Sequence, residues 1–175
     1  MSHFTRVDAV TEGLNIGTGG VPGDANSVNR IVVTKTGIAN NTPTAIVNLV
    51  VPASFTGSAG GNIKILGMLG ASGSVGAYES AQNVQYGFAV TRVGSGTSVG
   101  GLSAVFGSAS GAFSGGTLPV VTATISSASG GATAIQYVAI NVNISATTAG
   151  SNNHTAMAIV EVMNSVAAGI TVLQA

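Results

Sequence analysis

The stretch 137-YVAINVNIS-145 decides how the fold is read. Val138, Ile140, Val142 and Ile144 alternate with Ala139, Asn141, Asn143 and Ser145, so an extended chain puts them on opposite faces. One face is apolar. The other is small, neutral and hydrogen-bonding, and no charge interrupts either. A period of two sustained over nine residues is a strand signal and leaves no helical stripe.

The same alternation recurs on both sides of this stretch. In 118-LPVVTATIS-126 the second face is Thr122 and Thr124; in 83-NVQYGFAVTRV-93 it is Gln85, Gly87, Ala89 and Thr91. Further candidate strands are residues 30–36 (RIVVTKT), 44–51 (TAIVNLVV), 62–69 (NIKILGML), 102–107 (LSAVFG), 155–164 (TAMAIVEVMN) and 169–174 (GITVLQ), with the opening strand extended back to residue 133. Turn-type segments separate them: GSAGG (57–61), GASGSVGAYES (70–80), GSGTSVGG (94–101), GSASGAFSGG (107–116) and SSASGG (126–131). Short alternating strands with frequent turn signals predict an all-β chain, an antiparallel β-sandwich of jelly-roll-like type.

Residues 1–29 differ from the rest. They carry Arg6, Asp8, Glu12 and Asp24 and the irregular run NIGTGGVPGDANS (15–27). Fixing a backbone costs about 1–2 kcal/mol per residue, whereas burying Phe4, Val7, Val10, Leu14, Ile16 and Val21 returns only about 1.5–3 kcal/mol each. The segment is therefore expected to be an extended N-terminal arm, ordered only where its backbone pairs with another strand and contacting a partner through those six side chains. Residues 30–175 form the β-sandwich domain.

Composition narrows the function. Charged residues make up 6% of the chain, against about 25% in an average domain, glycine contributes 26 of 175 residues, and the formal net charge is zero. A surface so poor in charge is expected to lie against other protein. Five scattered Lys and Arg residues form no basic patch, which argues against nucleic acid. Hydrophobic runs are too short for a membrane span, and MSHFTRVDAV lacks the pattern of a signal peptide. Without cysteine there is no disulfide or thiolate metal site.

No motif assembles a reaction centre. His154 lies near the start of a candidate strand and Glu161 follows seven residues later, so without a bulge between them they face opposite sides, and His154 is expected to be a loop-end side chain with local hydrogen bonds. Glu161 alternates with Met157, Ile159 and Met163; a solvated strand face is the commonest reading of such a single charge, and the alternative is a carboxylate at an interface, paired with Lys64 or Arg92. IGTGGVPGD lacks the ending and the flanking elements of a phosphate loop, and Asp24, Glu79 and Glu161 stand too far apart for calcium. No enzyme, cofactor or metal is expected.

The segments TKTGIANNTPTAIVNLVVP (34–52), FAVTR (88–92) and NHTAMAIVEVMNS (153–165) resemble small β-structured virion proteins of tailed bacteriophages. The resemblance covers roughly residues 30–175. It implies a structural protein made in the host cytoplasm and mounted on the virion. Within that group, a short chain starting at its own methionine and lacking a stalk repeat is closer to a capsid decoration (cement) protein. Such a protein is commonly a homotrimer that sits on the capsid exterior and binds the major capsid protein. The alternative is a tail-fibre or receptor-binding tip, which would read the host surface through Phe55, Tyr78, Tyr86, Phe106, Phe113 or Tyr137.

Overall fold

The computed structural model describes residues 14–16, 28–53, 55–70, 78–93, 96–112, 119–129, 134–145, 154–165 and 169–175. It contains strands β1 (Leu14–Ile16), β2 (Val28–Ile38), β3 (Thr44–Val51), β4 (Gly57–Gly70), β5 (Tyr78–Val93), β6 (Gly96–Val99), β7 (Ser103–Ala112), β8 (Val120–Ile125), β9 (Gln136–Ser145), β10 (His154–Asn164) and β11 (Thr171–Gln174). No helix occurs among the described residues. All strand pairings are antiparallel. The larger sheet runs β1-β2-β10-β4-β5, with β6 and β7 sharing the far edge of β5; the smaller runs β11-β3-β9-β8. The all-β antiparallel sandwich expected from the alternation is the observed fold.

Its core lies between the two sheets, where even-numbered side chains of β9 and β10 meet the inner faces of β3, β4 and β5. In β9, Val138, Ile140, Val142 and Ile144 are fully buried, while Ala139, Asn141, Asn143 and Ser145 stay partly open on the outer face. The opening strand therefore divides as its period requires. The sheets pack tightly at Gly67 of β4, where a Cβ would overlap the Val121 side chain and crowd Ile144.

Two of the register shifts lie in the strands that flank β9 and β10. Between Ala45 and Val47, β3 uses one more residue than β9, so Ile46 and Val47 are both buried. Between His154 and Ala156, β10 advances two residues while β2 advances three, from Lys35 to Ile38. Gly37 sits in that bulge with φ +68°, a left-handed conformation that costs glycine nothing.

Several segments that read as punctuation are strand. Residues 57–61 open β4, and from Ala59 onward they are paired on both sides, Gly60 with Ala89 and Met163, Gly61 with Phe88 and Val162. Residues 96–99 form β6, residues 108–112 complete β7, and Ser129 bridges to Tyr137. A backbone held by ladders on both edges needs little side-chain propensity to stay extended.

Candidate functional site

The two outer faces differ in charge. Every Asp, Glu, Lys and Arg among the described residues lies on the larger sheet: Arg30, Lys35, Lys64, Glu79, Arg92 and Glu161. The strands of the smaller sheet, TAIVNLVV, VVTATI, QYVAINVNIS and TVLQ, contain none.

On the larger sheet, three of these charges converge. Glu161 on β10 stands directly opposite Arg30 on β2 and Asn62 on β4, while Lys64 and Gln85 form the next row with Ile159. The Arg30 Nε to Glu161 Oε1 distance is 3.7 Å, and both side chains are over two-fifths exposed. These six residues line a depression of about 80 Å³, into which the Gln85 Oε1 acceptor is buried without a protein partner. A shallower trough of about 310 Å³, lined by Val28, Gly60, Gly61, Asn62, Glu161 and Met163, continues from it. The cation facing Glu161 is thus Arg30, in place of the expected Lys64 or Arg92. Cross-strand register decides this, since directly opposite side chains are the closest on a sheet face. Lys64 is only a diagonal neighbour.

Arg92 points inward. It is fully buried, and its Nη1 donates to the Pro52 carbonyl at 2.9 Å and to the Ala134 carbonyl at 3.2 Å. One guanidinium thereby ties β5 to the chain just after β3 and just before β9, both in the opposite sheet. Thr97 and Gln136 hydrogen-bond through their side chains between the same two sheets. Arg92 shares the parity of Val84, Phe88 and Val90, the signal that could have placed it inside.

His154 is also in the core, at 1% exposure, as the first residue of β10 rather than a loop-end side chain. Burial lowers its pKa below the usual 6.5, because the charged form loses its water. It and Glu161 lie on opposite faces, as their odd spacing requires. Among the described residues, no three His, Cys, Asp or Glu side chains gather as a metal site.

The smaller sheet's outer face is built in rows. Thr171, Val50 and Tyr137 form one, Leu173, Asn48 and Ala139 the next, then Asn141 beside Thr124, Asn143 beside Thr122, and Ser145 beside Val120. Val120, Tyr137 and Leu173 are 54%, 45% and 53% exposed. The flat faces of β8 and β9 are adjacent here, whereas the similar face of β5 (Gln85, Gly87, Ala89, Thr91) belongs to the charged sheet. Both edges of this smaller sheet are tied to the larger one. Val121 N–H on β8 donates to Gln82 Oε1 of β5; Gln174 Nε2 donates to the Thr34 carbonyl at 3.2 Å, and Lys35 Nζ to the Ala175 main-chain oxygen at 3.0 Å.

Of the arm side chains, Phe4, Val7, Val10 and Val21 lie outside the described residues. Leu14 and Ile16 belong to β1, whose backbone pairs with β2 of the same chain, Leu14 opposite Arg30 and Ile16 opposite Val28. β2 itself begins at Val28. Among the aromatic residues, Phe55 is buried, Tyr86 is partly buried against the core and Tyr137 is exposed. Phe113 lies outside the described residues.

No protein-family model and no curated protein matches the chain. Among solved structures it is similar to the Acinetobacter phage vB_ApiP_P1 tailspike protein, with 17% sequence identity and a TM-score of 0.33 over 93% of this chain. The chain spans 25% of that structure's length.

Proposed function

We propose that the protein is a non-catalytic, homo-oligomeric structural subunit of a tailed-phage virion, a decoration protein that stabilises the capsid by covering its subunits. The observation that carries the contact role is the charge-free outer face of the smaller sheet, with Val120, Tyr137 and Leu173 exposed on it. Neutral amide, hydroxyl and small apolar groups lose little conformational entropy when covered and leave no ion stranded. The virion setting comes from the resemblance of residues 34–52, 88–92 and 153–165 to small β-structured virion proteins.

A receptor-binding tip is the second reading, and exposed Tyr137 is the feature that favours it. Co-sedimenting the purified protein with undecorated capsids and with host cells separates the two. Decoration predicts capsid binding that changes little between low and high salt, since few exposed charges contribute. Binding to cells but not capsids would replace it with the second reading, and turnover of a glycan or ester substrate would overturn both.

A further inference from the structure

We infer that the outer face of the smaller sheet is where two copies of this chain pair, face to face about a two-fold axis. The inference rests on the contact role proposed above and gives this face to the self-contact of the homo-oligomer, so that a capsid is met by the remaining surface of the pair. Four observations converge on it. First, the face carries no charge, so a charged partner surface would leave its ions desolvated with nothing opposite them. Second, its polar groups include Asn48, Asn141, Thr122, Thr124 and Thr171, whose amides and hydroxyls both donate and accept. Such a surface complements itself, which a two-fold contact requires. Third, Val120, Tyr137 and Leu173 provide exposed apolar anchors spread along it. Fourth, bonds to the larger sheet occupy the Val121 N–H at the β8 edge and the Ala175 oxygen just beyond β11, which hinders strand addition there and favours association through the face.

Size sets the strength. At about 4.8 Å between strands and about 3.3 Å per residue, the four strands present roughly 440 Å² of planar face. Two copies bury on the order of 900 Å², close to the ~1,000 Å² expected of a specific interface. The pair is therefore a reversible, concentration-dependent dimer, strengthened where many copies are held together on a particle.

Sedimentation equilibrium of the full chain over a wide concentration range tests this. The wild type should shift from monomer to dimer mass. Ala139→Glu, at the middle of the face, and Thr124→Glu, at an exposed position that folding tolerates, should each weaken the dimer at least tenfold. Asn83→Glu, on the outer face of the larger sheet, should not. A wild-type monomer at every concentration, a trimer, or dimers unaffected by both face variants would overturn the assignment. Running the capsid assay in parallel keeps the two proposals apart: a monomer that still coats capsids sinks only the pairing, and a face-dependent dimer that binds no capsid sinks only the decoration role.

Discussion

The two sheets bury their inner faces in the same way and treat charge in opposite ways. The larger sheet carries cations and acids outward at Arg30, Lys64 and Glu161 and sends Arg92 and His154 inward; the smaller sheet has neither. Period-two alternation therefore separates inside from outside equally well in both. It does not tell an outer face built for water from one built for contact. The contrast depends on which strands are neighbours, because the neutral faces of β8 and β9 acquire their meaning only by lying side by side.

Removing the inward charge should produce the largest effect. Arg92→Met leaves the Pro52 and Ala134 carbonyls without their donor and cuts the tie between the sheets, so unfolding free energy should drop by about 3 kcal/mol in denaturant titration. A fall below about 0.5 kcal/mol would show that water replaces the guanidinium and that the sheets hold together without it. Next comes the tight contact of the two layers at Gly67: Gly67→Val drives a side chain into Val121 and Ile144 and should cost about 2 kcal/mol, read as a lowered thermal midpoint.

His154 adds a smaller, pH-dependent term. Its folded pKa lies below the unfolded value near 6.5, so the unfolded chain takes up the proton first. Its contribution is complete above pH 6.5 and is lost as pH falls from there toward the depressed folded pKa. Thermal midpoints should therefore drop on acidification through that window, and His154→Leu should flatten this part of the profile. The smallest effect belongs to the outward pair. Arg30→Ala removes a half-exposed ion pair at 3.7 Å and should change stability by less than about 1 kcal/mol at moderate salt.

The alternation made most of the strands and the division of β9 legible in the sequence. Strands β1 and β6 and the glycine-rich start of β4 were not, because their extended form comes from ladder partners and not from their own side chains: β2 for β1, the preceding β5 for β6, and the distant β10 for β4. For Glu161, spacing revealed the outward face but not Arg30 as the cation, which required knowing that β2 and β10 are neighbours. For Arg92 and His154 the parity was present in the sequence. Their polar character argued against a buried position, and the compensating carbonyls for Arg92 lie on loops of the other sheet.

Gln82 has a consequence for growth. Its amide occupies the Val121 N–H on the outermost strand of the smaller sheet, a position where an added chain could otherwise begin to zip on. Copies of the chain brought close together thus find this point of the edge already filled, and one glutamine works against open-ended ribbon growth.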